Sequence, residues 1–311
     1  MPGRVRLPPA TLRWSVMDET QVAPVVEETR KGRRGRMFGA RRGTAGLKNR
    51  SSDLAARVLV AVPLVVLAVV LVAAGGWVFA AGLLVLGIMA LRELFSMFPR
   101  WAVPVFAVFF AFLLMIVAAR TGGPPRLLLA TVVALPVVFI GGLLAPRRSD
   151  VRGLALGMLG LAWIGLALSH AVMLRDLEHG AAILVLVLVA TFIGDTAAYF
   201  GGRAFGRRKL APALSPAKTW EGLVIGILAG TLAGWFVGLY LDWLTGLQAL
   251  LLGFAAALIA PLGDLFESAL KREADAKDSG SVFGAHGGVL DRLDAALFAV
   301  VVGFYVWQAM L

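Results

Sequence analysis

Three stretches of an otherwise apolar chain concentrate side chains that bind anions or cations. The first, "FIGDTAAYFGGRAFGRRKLAPALSPAKTWEG", runs from Phe192 to Gly222. It opens on the carboxylate of Asp195, mixes Gly201, Gly202 and Gly206 with Arg203, Arg207, Arg208 and Lys209, and then reaches Ser215, Pro216 and Lys218. Glycines let backbone N–H groups approach a phosphate, and Lys and Arg neutralise its charge. Asp195 fits two roles: a metal ligand, or a partner for Arg203 that anchors a helix end. Basic loops are also what membrane topology alone requires. Topology does not account for Ser215, Lys218 and Glu221 standing directly before an apolar helix, where N–H donors and the positive end of the helix dipole face an anion.

The second stretch, "APLGDLFESALKR", separates Asp264 from Glu267 by three residues and from Ser268 by four. All three therefore share one helical face, which Lys271 continues. Two carboxylates on an apolar helix need a cation, and either a metal or Lys271 with Arg272 meets that need. The third stretch, "GAHGGVLDRLD", carries His286 among Gly284, Gly287 and Gly288 and opens the last apolar segment with Asp291, Arg292 and Asp294. An Asp at a helix start is ordinarily a cap, and a single His is ordinarily a hydrogen-bonded structural residue. Either explanation covers one residue, and neither covers the cluster.

The elements that position these groups are membrane spans. Of 311 residues, 59% are hydrophobic, and the mean hydropathy is +0.84, well beyond soluble-domain usage. A span needs about 20 mainly apolar residues to cross roughly 30 Å of hydrocarbon. Nine windows qualify, near 54–74, 76–96, 101–119, 126–145, 153–174, 180–202, 220–242, 246–267 and 291–311. The expected fold is all-α, a polytopic integral membrane protein of about nine transmembrane helices. The short Gly75–Gly76 junction leaves a second arrangement for the first two windows, one long helix with a re-entrant piece.

Charge sets the orientation. With the N-terminus in the cytoplasm, 27 of the 30 Lys and Arg fall inside, and only Arg120, Arg126 and Arg175 fall outside, as the positive-inside rule demands. Residues 1–52 read as a basic, disordered cytoplasmic tail, 53–175 as transmembrane scaffold helices and 176–311 as the catalytic transmembrane region. The tail contains no short apolar core before a small-residue cleavage site, so it is expected to remain uncleaved. Thirteen of the Lys and Arg lie at or before Arg57, which suits an arm at an anionic lipid surface and argues against a nucleic-acid partner. There is no cysteine, which excludes a disulfide framework and a thiolate nucleophile.

In this topology Asp195, Asp264 and Asp291 all arrive at the cytoplasmic boundary beside basic, glycine-containing loops. Carboxylates facing Lys and Arg at one depth are what a magnesium–phosphate site requires, because magnesium binds through one or two carboxylates plus substrate phosphates. A transporter would instead favour ionisable residues near the bilayer midplane, often in two related halves. No such halves are evident here.

The same residues carry a family resemblance. Ser268, Lys271 and Arg272, then Lys277 and Asp278, then His286, Gly287, Gly288, Asp291, Arg292 and Asp294 resemble, at every fixed position, the signature of phosphatidate cytidylyltransferases, the CDP-diacylglycerol synthases. The likeness extends upstream through "GDLFES", "SPAKTWEG" and "DTAAYFGGRAFG", covering residues 190–311 closely. Ala217 stands where the family often has a second lysine, and Gly284 and Ala285 replace the more usual Pro-Gly.

The resemblance implies transfer of a cytidylyl group from CTP to phosphatidate at the cytoplasmic face of the inner membrane, with release of pyrophosphate. It implies metal ligation by Asp264 and Asp291, magnesium as the ion, potassium as a second cation beside it, and a homodimer. Behind those two ligands stand Asp195, Glu267 and Asp278, as further ligands or as supports of ligands. Lys218 and Lys271 are expected to act at the reacting phosphates. Ser215, Lys277, Arg292, Arg203 and Ser268 are expected to bind substrate, with His286 as an orienting hydrogen-bond donor.

Overall fold

The computed structural model describes residue 63 and residues 65–145, 149–276, 279–280 and 287–311. The basic tail, Lys277, Asp278 and His286 lie outside the described residues. What is described is mostly helical, as a chain in lipid must be when each backbone polar group needs a partner within its own segment.

The helices are α1 (Val65–Ala74), α2 (Gly76–Met97), α3 (Val105–Leu144), α4 (Val151–Gly160), α5 (Leu166–Asp176), α6 (Gly180–Phe205), α7 (Trp220–Gly238), α8 (Gly246–Glu273) and α9 (Leu290–Gln308). A π-helical turn, Leu161–Gly165, joins α4 to α5. Among the described residues six helical stretches are long and apolar enough to cross a membrane: α2, α3, the continuous Val151–Asp176, α6, α7 and α8. The chain therefore has the architecture of a helical integral membrane protein.

Local sequence explains the breaks. Gly75 and Gly76 both have positive φ, 62° and 53°, so α1 and α2 are separate helices rather than one long one. The windows at 101–119 and 126–145 fall within α3, which departs from helical geometry at Gly123, with φ 61° and ψ −152°. Pro124 and Pro125 follow, and neither supplies a helical N–H. Asp150 caps α4 by accepting the Gly153 N–H at 2.6 Å. Thr219 caps α7 in the same way through Gly222, at 3.1 Å, which fixes where "SPAKTWEG" becomes helix.

One segment departs from an all-helical reading. Between α6 and α7, β1 (Lys209–Ala211) and β2 (Ser215–Thr219) form an antiparallel hairpin, with Lys209 opposite Thr219 and Ala211 opposite Ser215. Pro212 and Pro216, four residues apart, rule out a helix there. At the other boundary, α8 runs to Glu273, beyond the window ending at 267, and so carries Lys271 on its last turn.

The C-terminal bundle is drawn together by small residues. Gly222, Gly226, Gly230, Gly234 and Gly238 form a buried stripe along α7, facing α6 and α8 closely enough for backbones to touch, the packing mode of helices in lipid. A Cβ at Gly226 would sit 2.7 Å from the Ala198 Cβ and 2.8 Å from the Gly194 carbonyl oxygen of α6. Gly226→Leu should therefore cost about 1–3 kcal/mol by overpacking, read as a lower melting temperature in detergent. An unchanged melting temperature would mean that α6 and α7 do not meet this closely.

Candidate active site

The hairpin, α6, α7 and α8 enclose a cavity of about 700 Å³. Its polar lining includes Asp195 and Arg203 from α6, Ser215 and Lys218 from β2, and Asp264 from α8; Ala198, Leu223 and Pro261 make an apolar wall. Lys218 reaches across from the hairpin, its Nζ 2.6 Å from Asp264 Oδ2. Ser268, one turn further along α8, donates its hydroxyl to Asp264 Oδ1 at 3.3 Å. Asp264 thus has one oxygen on an ammonium and the other on a hydroxyl, and it faces open space.

Asp195 does not anchor to Arg203. Among the described residues no ion pair joins them, and Arg203 Nη1 instead donates to the Tyr199 hydroxyl at 3.4 Å. The hairpin is pinned at both ends. At its base, Glu221 accepts the Arg207 N–H at 3.0 Å and the Arg208 N–H at 3.2 Å. At its tip, Arg272 Nε donates to the Leu214 carbonyl at 3.2 Å. These contacts hold Ser215 and Lys218 over the cavity.

A second charged group lies one turn further along α8. Lys271 Nζ is 2.7 Å from Glu267 Oε2 and 2.6 Å from Asp291 Oδ1. Asp291 also accepts the Gly288 N–H at 2.6 Å and the Ser279 N–H at 3.2 Å. Gly287 has φ 78°, and a Cβ there would strike the Asp291 carboxylate, so the turn admits glycine only. Helices α8 and α9 cross where Gly263 meets the backbone of Asp294. Near that crossing Asp264 and Asp291 are each held by a different lysine, Asp264 by Lys218 and Asp291 by Lys271.

Arg292 follows Asp291 on the first turn of α9. Sequence reasoning missed Glu93. It sits on α2 in the segment read as scaffold, is 5% exposed, and accepts hydrogen bonds from the Val289 and Leu290 N–H groups at 2.9 and 2.8 Å. The signal was present, because an ionisable residue within an apolar span is a functional candidate by default, and Glu93 lies inside the second window.

Among the described residues no set of three or more His, Asp or Glu is placed to hold a metal unaided. Magnesium does not need one, since it binds through one or two carboxylates together with substrate phosphates and water. Two observations fit that mode. Asp264 lines a cavity, and Glu267, 1% exposed, leaves Oε1 without a hydrogen-bond partner. A buried carboxylate oxygen in that state is costly unless a proton or a cation meets it.

Fold and site together define a helical membrane protein in which one lysine–carboxylate pair, Lys218–Asp264, lines a cavity that is apolar on one wall, and a second, Lys271 with Glu267 and Asp291, lies further along α8. Residues 55–310 match the model of the cytidylyltransferase family, and the chain belongs to that family. It is 43% identical over 131 residues to a phosphatidate cytidylyltransferase of Haemophilus influenzae, covering 40% of this chain and 46% of that one. It is 39% identical over 139 residues to a phosphatidate cytidylyltransferase of Thermotoga maritima, covering 43% and 52%. It is also 44% identical over 144 residues to an uncharacterised protein, YnbB, of Escherichia coli, covering 45% and 48%. The matching stretch spans about half the length of these curated relatives.

Proposed function

We propose that this protein transfers the cytidylyl group of CTP to phosphatidate, forming CDP-diacylglycerol and pyrophosphate in phospholipid synthesis. The observation that carries the reading is the Lys218–Asp264 pair at 2.6 Å, lining a cavity that joins charged groups to an apolar wall. Such a cavity suits a ligand with a phosphate head and an acyl body. Family membership and relatives named for this activity support the same assignment.

The nucleophile is a phosphomonoester oxygen of the lipid. With a second pKa of about 6, that oxygen is largely anionic at neutral pH, so the site needs no general base. It attacks the α-phosphorus of CTP, a new P–O–P bond forms, and the bond to the β-phosphate oxygen breaks, the electron pair leaving on pyrophosphate. The barrier is electrostatic, because two anions must approach in line and a third must depart.

Lys218 and Lys271 are placed for this task. Each is held by carboxylates, Lys218 by Asp264 and Lys271 by Glu267 and Asp291, so each ammonium is pre-positioned rather than swinging in solvent. Ser215 and Arg203 line the cavity beside Lys218 and bind phosphate oxygens there. Asp264 and Asp291 would hold magnesium, with Glu267 and Asp195 behind them. Magnesium held there would supply positive charge to offset the repulsion between the substrate phosphates, and Lys218 and Lys271 would bind phosphate oxygens. The site works at the cytoplasmic face, where the excess of Lys and Arg places the hairpin.

The test supplies purified protein in detergent with phosphatidate, labelled CTP and magnesium. CDP-diacylglycerol should appear and should vanish with excess EDTA. Product formation unaffected by EDTA would overturn the metal assignment, and a protein that binds CTP without any lipid product would overturn the reaction.

A further inference from the structure

Val289 and Leu290 lead into α9, where the first N–H groups have no partner within the helix. Glu93 supplies the acceptors from α2: Oε1 takes the Val289 N–H at 2.9 Å and Oε2 takes the Leu290 N–H at 2.8 Å. The Ser279 hydroxyl donates to Oε2 at 3.5 Å. Two further donors, the N–H of Gly288 just before α9 and the N–H of Ser279 from the preceding segment, go to Asp291 at 2.6 and 3.2 Å. Two carboxylates from different helices therefore divide the consecutive donors Gly288, Val289 and Leu290.

That division decides where Asp291 points. An Asp in the first turn of a helix ordinarily serves the helix's own free N–H groups. Here the Val289 and Leu290 N–H groups are already taken by Glu93, and Asp291 Oδ1 meets Lys271 at 2.6 Å while sharing the Ser279 N–H at 3.2 Å. Val289 and Leu290 are 3% and 0% exposed, so water cannot stand in for Glu93, and an unmet buried donor is costly. Asp291 is then the adjacent acceptor. The chain is also shaped around the Glu93 carboxylate, since a Cβ at Gly280 would lie 2.7 Å from its Oε1, and one at Gly288 would strike its Oε2.

We infer that Glu93 is a positioning residue of the transfer site: by accepting the Val289 and Leu290 N–H groups it reserves Asp291 for Lys271 and for the reaction. The inference rests on the function proposed above, and it extends the working site into the N-terminal helices. Glu93→Gln is the informative change, because the amide keeps one acceptor oxygen and turns an NH₂ donor toward N–H groups. Glu93→Asp keeps the charge and shortens the reach.

Two measurements on the full chain in detergent decide it. In the first, Glu93→Gln lowers kcat with CTP and phosphatidate by about 10- to 100-fold, while KM for CTP moves by less than about twofold, and Glu93→Asp recovers part of the loss. A purely structural role would reduce the yield of folded protein and leave kcat per folded molecule unchanged, which overturns the inference. The second is residue-resolved amide hydrogen exchange, which does not depend on the reaction. Loss of a merely local contact exposes Val289 and Leu290 alone. Reassignment of Asp291 also speeds exchange at Gly288 and Ser279, by about tenfold or more. Unchanged protection at those two amides in both variants overturns the proposal. If the wild-type protein makes no CDP-diacylglycerol, the proposed function fails, and the exchange result still decides the role of Glu93.

Discussion

Asp264→Asn is expected to lower turnover of CTP and phosphatidate by about 100- to 1,000-fold while the protein remains folded and monodisperse. The side chain keeps its shape, and the amide oxygen still accepts from Ser268 or Lys218, whose present distances are 3.3 and 2.6 Å. What disappears is the negative charge that holds Lys218 and that, on the proposed function, would offer a hard oxygen to magnesium. Asp291→Asn should do the same through Lys271, 2.6 Å away. The two losses should combine to less than their product, because residues acting on one transition state are not independent. Full turnover in either variant, measured as labelled CDP-diacylglycerol per folded protein, would remove that carboxylate from the mechanism.

Lys271→Met should act on stability as much as on activity. Lys271 lies between Glu267 Oε2 and Asp291 Oδ1, at 2.7 and 2.6 Å, with 17% of its side chain exposed and Glu267 almost fully buried. Removing one partner of a buried ionic group leaves the other charges uncompensated, at a cost of about 3–5 kcal/mol. The melting temperature in detergent should therefore fall by about 10 °C. Adding Glu267→Gln to the methionine variant removes one of the stranded charges, so stability should recover in part while activity stays lost. A single variant that melts with the wild type would show that the ammonium does not bridge the two carboxylates.

Much of the chemistry was legible along the chain. Asp264, Glu267, Ser268 and Lys271 share a helical face by their spacing alone, and the structure keeps all four on α8. The membrane character followed from hydropathy, which is a sum over local residues. The hairpin was less legible, because a segment rich in Gly, Pro, Lys and Arg reads as a loop, and its short strands lack the alternation that marks a half-buried sheet. Glu93 was passed over because, with only Arg92 beside it in an apolar window, it lies away from every charged cluster.

Residue order by itself determined the inventory of this protein: which segments are apolar enough to span, which faces carry acids and bases, and which side of the membrane the positive charge favours. Only the tertiary structure decided the partners. Periodicity states which face a residue occupies but not which helix lies against that face. It was the close approach of α7 to α6 and α8 that put Lys218 on Asp264, the crossing of α8 with α9 that put Lys271 on Asp291, and the packing of α2 against α9 that put Glu93 under the start of α9. Those pairings join residues far apart in the chain, and their energy comes from burial and geometry that exist only once the helices have packed.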